Sequence, residues 1–562
     1  YVGIKVDQAN PIILEDLESA GMLIHKQQIK HSYPHCWRCK NPIIYRATEQ
    51  WFASIDGFRQ NTLDEIDKVK WIPAWGKDRI HNMIADRGDW CISRQRTWGV
   101  PIPIFYCESC GKEIITDETI KKVQDIFREE GSDAWFAHSA EELLPDGMTC
   151  ECGEKNFKKE TDIMDVWFDS GTSHVGVLKQ REELTWPADL YLEGSDQHRG
   201  WFNSSLSTSV AAFGKAPYKA VLTHGFIVDE KGRKMSKSSG NGVDPLKVIN
   251  DMGADILRLW VSSADYKNDV AASPKIMKQM VEAYRKIRNT LRFMLGNLYD
   301  FDNENNTVAY TDLQEIDRWV LMKLGKLIER VIKAYDEYEF HVVYHAIHNF
   351  CTVELSSIYL DIVKDRVYVE AGDSMLRRSA QTVMFEILQA LVKLLAPVLV
   401  FTADEIWPYI PGYQEDSNIQ IEEMPKIKPE WADDSLEEKW EKILTVRNEI
   451  TKVLEVARQD KTINHSLKAK VDLYTNEEMY EFLNMVPNLA EIVIVSQLEI
   501  HAPHMQIPEN AVKPEDIEGL AIVVSAATGG KCERCWMYHD EVGKNEEYPD
   551  LCPRCLSIVK NL

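Results

Sequence analysis

Residues 231–242 read Lys-Gly-Arg-Lys-Met-Ser-Lys-Ser-Ser-Gly-Asn-Gly, and Asp244-Pro245 follows. Glycine opens backbone conformations closed to other residues, so this stretch reads as a pliable loop. Asp244 suits an N-cap and Pro245 a first helical turn, which predicts a helix start there. A basic, hydroxyl-rich loop entering a helix N-terminus suits a polyphosphate. Lys234 and Lys237 bring charge, and the amides bring oriented donors. No Gly-x-x-x-x-Gly-Lys-Ser/Thr element is present, so this is not a P-loop. Taken alone, the loop reads equally as a solvated surface segment, and the decision falls to the residues around it.

Upstream, Asp165-Val-Trp-Phe-Asp-Ser-Gly171 reads as an apolar strand ending in small polar residues. Residues 189–202, Asp-Leu-Tyr-Leu-Glu-Gly-Ser-Asp-Gln-His-Arg-Gly-Trp-Phe, read as a strand over Leu190–Leu192, a turn at Gly194 and a helix running into Ser204–Val210. Another strand, Ala220–Leu222, precedes Thr223-His224-Gly225. Polar groups at the carboxyl ends of parallel strands, beside helix N-termini, are where α/β sheets hold ligands. Singly, each histidine or tryptophan here reads as core packing. Their convergence ahead of the lysine loop points to a site.

The string Lys234-Met-Ser-Lys-Ser238 resembles the second nucleotide-binding motif of the class I aminoacyl-tRNA synthetases. Leu192–Phe202, together with Asp165–Gly171, resembles the bacterial isoleucine branch of that family rather than its valine or leucine branches. The resemblance implies an α/β Rossmann-like core, present in part, then a helical bundle and a small C-terminal α/β domain with a zinc module. It implies isoleucine, ATP with magnesium, and tRNA-Ile as substrates. Lys237, flanked by Ser236 and Ser238, would contact the ATP phosphates, with Lys234 as a second catalytic lysine. Glu193 and Gly194 would meet the adenylate, and Asp196 and Gln197 the ribose and the amino acid. Trp201 and Trp167 would wall the aliphatic pocket, and His224 would sit near the adenine. The family's His-x-Gly-His element is missing. The nearest string, His174-Val-Gly-Val177, follows the Trp167 segment, where that element does not belong. The expectation is a C-terminal fragment, inactive alone, of a cytoplasmic enzyme that is monomeric at full length.

The chain has 562 residues, room for several domains, and a net charge of −24, which argues against nonspecific polyanion binding while leaving room for a local basic face. Twelve cysteines fall largely in close pairs, and no apolar run reaches membrane length. Cys532-x2-Cys535 and Cys552-x2-Cys555 form a zinc-ribbon spacing. Arg534, Arg554, Lys531 and Trp536 surround it, so it is either an RNA contact or a zinc-stapled terminus with no RNA role, and the resemblance favours tRNA contact. Cys107-x2-Cys110 and Cys150-x-Cys152 predict a second, structural zinc, with Gly111 and Gly153 permitting the tight turns. Cys36-Trp-Arg-Cys39 is either a metal knuckle or a pair of reduced, buried thiols; no second pair lies close by, and the resemblance would place one upstream of this sequence.

The segment Asp89-Trp-Cys-Ile-Ser-Arg-Gln-Arg-Thr-Trp-Gly-Val-Pro101, with Arg94 and Arg96 near Trp90 and Trp98, is either an amphipathic loop with core tryptophans or a contact for the tRNA acceptor end. The organisation expected in order is the tail of an inserted editing domain at 1–46, a return to the core at 47–106, and a zinc-bearing insertion at 107–160. The second core half with its loop and connector follows at 161–275, then a helical anticodon-binding domain at 276–412, a junction domain at 413–530 and a zinc module at 531–562. Finer expectations are a helix opening at Asn10-Pro11, strands at Met22–Ile24, Ile492–Val495 and Ala521–Val524, and helices near Thr116–Glu130, Phe340–Val363, Ser374–Leu395 and Ile443–Ala457.

Overall fold

Three strands carry the first site. They are β1 (Lys70–Ile72), β2 (Tyr191–Gly194) and β3 (Ala220–His224), with β3 in the centre. β3 runs parallel to β1, pairing Val221 with Trp71 and Leu222 with Ile72. Val221 and Leu222 are buried, as an inner strand of a parallel sheet requires. The computed structural model describes residues 1–36, 39–235 and 242–561. Its contacts divide the chain into two units, Tyr1–Thr223 and His224–Leu562.

In the first unit, Ile66, Trp71, Ile80, Tyr191, Phe202 and Leu206 pack into one core around the sheet. Helix α1 (Val166–Gly171) lies against helix α2 (Trp201–Phe213). The contact is close because both surfaces are small: a Cβ on Gly171 would sit 3.0 Å from Ser204. Ser204, Ser205, Ser207 and Ser209 are all buried along α2. A separate small core of Phe105, Val123, Trp135, Leu143 and Phe157 supports the cysteine-bearing insertion. Its helix, Asp117–Glu130, begins at a capping box built by Thr116 and Thr119. Near the start of the chain, helix Val6–Ser19 buries only Ala9.

The second unit begins with a parallel pair, β4 (Ile227–Val228) and β5 (Val270–Ala271), and helices α3 (Pro245–Met252) and α4 (Ala254–Ser263). The bundle follows as α5 (Pro274–Asn297), α6 (Glu315–Asp336), α7 (Phe340–Asn349), a wide π-type stretch Phe350–Tyr359, α8 (Leu360–Val369), α9 (Met375–Leu395) and α10 (Val400–Ile406). α6 buries Ile316, Trp319, Val320, Leu324, Leu327, Ile328 and Val331, the apolar stripe its period predicts. Beyond it come α11 (Asp434–Gln459) and a sheet ordered β7–β6–β8, with β6 (Ala469–Thr475), β7 (Gln497–His501) and β8 (Leu520–Ala526). Trp319 stacks on Trp440 at 5.1 Å, and Ile419 and Trp431 join the same core, so the acidic segment between bundle and sheet is pinned by buried side chains.

Several local expectations are corrected. Asp165–Gly171 is not a strand: the Asp165 carboxylate accepts from the Trp167 amide and starts α1, and the strand is the preceding pair, Ile163–Met164. The first helix opens at Val6, not at Asn10, and Pro11 lies inside it. Met22–Ile24 forms no strand; the Met22 and Leu23 amides close the helix end on the Leu17 carbonyl. Ile492–Val495 falls in a short helix, Leu489–Val493, ended by Ile494 at φ 60°, a conformation that breaks an extended run.

Candidate functional site

The site in the first unit grows from the end of β2. Gly194 ends the strand, Ser195–Arg199 makes a tight turn, and α2 starts at Trp201. Gln197 closes this corner by accepting from the Trp201 amide at 3.0 Å, which leaves its own amide donors outward. Gly200 sits at the crossing. A Cβ there would lie 2.5 Å from Gln197 Oε1 and 2.7 Å from the Trp167 ring, so only glycine lets these two side chains close over the backbone here. Trp201 stacks face to face on Tyr191, with centroids 4.0 Å apart and planes 8° apart. Its indole donates to the Ser170 carbonyl at 3.0 Å. Trp167 and Gln197 thus meet over Gly200, and the Trp201 backbone amide is tied to the same turn while its ring packs on Tyr191. Glu193 and Asp196 are exposed beside it, and the Gly194 amide bonds back to Glu193 at 3.2 Å.

Asp165 is the hub behind this corner. It accepts from the Trp90 indole at 3.1 Å and pairs with Arg94 at 3.0 Å. Arg87 lies over Trp90 and donates to Asn203 and Ser207 of α2. A cleft of about 580 Å³ opens next to Asp165, with Arg96, Trp98 and Phe136 among its walls. Trp98 is 95% exposed, so the core reading of that tryptophan is excluded, whereas Trp90 is half-buried. Nearby, His198 is wholly buried between Trp75 and Phe202. Burial pushes its imidazole down to about 4, so it is neutral near pH 7.

In the second unit, the lysine segment begins as a hairpin. The Asp229 carboxylate accepts from the Lys231 and Arg233 amides, and Gly232 takes φ 71°. Lys234 pairs back to Val228 and lies over the Phe226 ring at 4.0 Å. Met235 and Val243, which flank the segment, pack into one cluster with Val248, Trp260 and Met277. Asp244 accepts from the Leu246 amide at 3.0 Å and Pro245 opens α3, as the sequence predicts. Ser236, Lys237 and Ser238 lie outside the described residues. His224 bonds the Gly225 carbonyl at 2.7 Å. Gly225 is pressed against the Asn268 carbonyl, where a Cβ would be 2.3 Å away.

Both predicted thiol groups assemble: within each, the ligand atoms lie within 4.8 Å of one another. A tetrahedral ion with Zn–S of about 2.3 Å needs sulfurs about 3.8 Å apart. Cys535 and Cys552 are 3.7 Å apart, and Cys107–Cys152 and Cys110–Cys150 are 3.6 Å apart, which fits. The Cys555 thiol beside Cys535 lowers the latter to about 5, and the Cys110 amide is the first cause lowering Cys107 to about 7. Gly111 and Gly153 hold φ of 75° and 87°, the turns expected of them. A bound zinc closes these knuckles and, with four protein ligands, leaves no open position for catalysis.

The family model for tRNA synthetases class I (I, L, M and V) matches residues 11–273. The model for the anticodon-binding domain of tRNA ligase matches 317–473, and that for the zinc finger found in FPG and IleRS matches 529–558. All 562 residues align at 69% identity with an isoleucine--tRNA ligase of Desulfitobacterium hafniense. The chain belongs to the class I tRNA synthetases. A second relative, the isoleucine--tRNA ligase of Carboxydothermus hydrogenoformans, is 63% identical over the whole of this synthetase chain. The chain spans 61% of the length of each of these relatives. Mycobacterium tuberculosis methionyl-tRNA synthetase bound by methionyl-adenylate aligns with TM-score 0.49 and 17% identity over 67% of this chain and 66% of that one.

Sequence reasoning about this synthetase missed three things. His198 sits inside the quoted motif, yet nothing in its neighbours signals the aromatic cage drawn from Trp75 and Phe202. Arg87 and Asp165, 78 positions apart, are invisible as one network. The two knuckle arginines are committed elsewhere: Arg534 donates to the Val369 carbonyl at 2.7 Å, and Arg554 grips Asp365 with two bonds of 2.7 and 2.9 Å. Their charge docks the metal module onto α8, so the RNA contact expected around that module falls to Lys531 and the exposed Trp536.

Proposed function

We propose that this synthetase chain is isoleucine-specific and works on isoleucine, ATP with magnesium, and tRNA-Ile as part of a protein that also supplies the His-x-Gly-His half of the fold. The observation that carries the reading is the turn at Gly200, where the Trp167 ring and Gln197 close over the glycine, Gln197 holds the Trp201 amide and the Trp201 indole holds the Ser170 carbonyl. A branched aliphatic side chain needs such a rigid apolar wall, because pockets of this kind separate substrates by only a methylene or so. The isoleucine carboxylate attacks the ATP α-phosphate and pyrophosphate leaves. A terminal ribose hydroxyl of the tRNA then attacks the acyl carbon and AMP leaves. Trp167 and Trp201 wall the side chain, and the free donors of Gln197, with Asp196, meet the amino acid and ribose. Glu193 and Gly194 meet the adenylate, and His224 the adenine end. Lys237, with Ser236 and Ser238 beside it and Lys234 at the hairpin end, stabilises the charge gathering on the leaving pyrophosphate. The whole protein acts as a cytoplasmic monomer, divided along the chain as set out for the sequence. The test is amino-acid-dependent pyrophosphate exchange by the complete protein. Isoleucine should be preferred to valine by roughly a hundredfold in kcat/KM, and equal or better use of valine or leucine overturns the assignment.

A further inference from the structure

The two four-thiol groups differ in what covers them. In the terminal group all four cysteines are buried, and the most open of them, Cys535, is only 8% exposed. Met537, Val542, Leu551 and Ile558 pack around that group together with Val369 of α8, so the docked bundle helix helps to close it. In the insertion, Cys107 and Cys150 are buried in the small core with Phe105 and Phe157, but Cys110 and Cys152 are exposed. Each knuckle of the insertion thus carries one buried and one exposed cysteine. The pairs cross over: Cys110 lies 3.6 Å from Cys150, and Cys152 lies 3.6 Å from Cys107. Every exposed thiol therefore has a buried one of the opposite knuckle within reach.

The insertion also walls the cleft beside Asp165, through Ser132, Asp133 and Phe136. Trp135, which joins the last two, is fixed in the small core. Its ring lies 5.0 Å from Phe105, and its indole donates to the Glu160 carbonyl at 3.0 Å. The thiol group, the small core and this wall of the cleft form one packed unit.

We propose that Cys110 and Cys152 are sites of peroxide oxidation and that the terminal group is spared. A ligand sulfur is a thiolate, which is also the nucleophilic form, so access decides which sulfur reacts. The Cys110 thiolate attacks one peroxide oxygen, the O–O bond breaks, and the departing hydroxide takes a proton to become water. Cys110 is then a sulfenic acid. The Cys150 thiolate attacks its sulfur, the S–S bond forms, and hydroxide leaves, again as water. Two thiolates, one hydrogen peroxide and two protons become one disulfide and two waters; the sulfurs lose two electrons and the peroxide gains them. Cys152 and Cys107 react in the same way. A pair joined in this way no longer supplies ligands, so the knuckles lose their staple and the small core loosens with the cleft wall. The proposal rests on the zinc reading of the thiols and not on the substrate assignment, so either can fail alone.

The experiment treats the zinc-loaded chain with hydrogen peroxide and follows released metal with a chelating dye, while alkylation and peptide mass spectrometry map the cysteines. The chain should lose one zinc ion and keep the other, with disulfides joining the 107–110 peptide to the 150–152 peptide. In a parallel sample a sulfenic acid trap such as dimedone should mark Cys110 or Cys152 before Cys107 or Cys150. Amide exchange should rise over Asp117–Glu130 and Ala140–Leu143 and stay unchanged over α9. A thiol reductant with fresh zinc should reverse these changes. Release of both ions together, release of the terminal ion first, or trapping on the buried pair first overturns the proposal. Metal release without disulfides across the knuckles overturns it too.

Discussion

Gly200→Ala tests the corner on which the site depends. The added Cβ would stand 2.5 Å from Gln197 Oε1 and 2.7 and 2.8 Å from two atoms of the Trp167 ring. Carbon contacts are comfortable at about 3.5–4.0 Å, so the ring must retreat by roughly 1 Å. Gln197 cannot move freely either, because its oxygen holds the Trp201 amide at 3.0 Å. Overpacking of this kind costs about 1–3 kcal/mol. If the retreat is spent on the pocket wall, that is a loss of roughly 5- to 150-fold in isoleucine affinity. The wall touches substrate and transition state alike, so KM for isoleucine should rise by that factor with kcat nearly kept. The assay is pyrophosphate exchange on the complete protein, with near-ultraviolet circular dichroism of the chain reporting the tryptophans. Gly57→Ala, with nothing within 4 Å of its added carbon, is the control. An unchanged KM together with an unchanged tryptophan signal would refute the close approach and the pocket built on it.

Other outcomes follow from the same coordinates. His198 is held near 4 against an ordinary 6.5, so the folded state binds its proton less readily than the unfolded state. Its contribution is complete above pH 6.5 and is lost as pH falls to about 4, a drop of about 3 kcal/mol. His198→Phe should flatten that part of the stability–pH curve, and an unaltered acid limb would contradict the burial. Asp317→Ala leaves the buried Tyr359 hydroxyl without its acceptor and Arg366 with Glu491 alone, at 2.7 Å, which should cost about 1–3 kcal/mol in urea unfolding; no change would contradict the burial of this network. Elemental analysis should find two zinc ions per chain, one for each four-thiol group. Cys535→Ser should remove one and raise amide exchange across the terminal module, leaving the strands at β1–β3 protected. Lys237→Ala in the complete protein should slow adenylate formation far more than it weakens isoleucine binding, and a pure affinity loss would remove its role in pyrophosphate departure.

What the sequence showed and hid follows from the range of each interaction. The Asp244–Pro245 helix start, the glycines of the cysteine turns and the long apolar stripe of α6 are local, and each formed where composition put it. Val166-Trp-Phe is too short to show a period of two or of 3.6, and the cap at Asp165 decided it for helix. The β-branched run Ile492–Val495 favoured a strand, but Ile494 turns left-handed, and the strand begins only at Gln497. The partners of Arg534 and Arg554 lie 165 and 189 residues away, so nothing in the knuckle spacing could reveal that its arginines face protein rather than RNA.

Helix α4 ties two later helices together. Arg258 donates to the Pro397 and Val398 carbonyls at the end of α9, while Asp255 accepts from the Phe401 and Thr402 amides at the start of α10. One short helix thereby clasps both sides of a bundle corner. The synthetase match ends at residue 273, beyond α4, so trimming the polypeptide there would tear this clasp open and expose a carboxylate and the first amides of α10 to water. Severing at the contact boundary after Thr223 keeps the clasp whole, and the hairpin that launches the lysine segment then travels as cargo of the helical half.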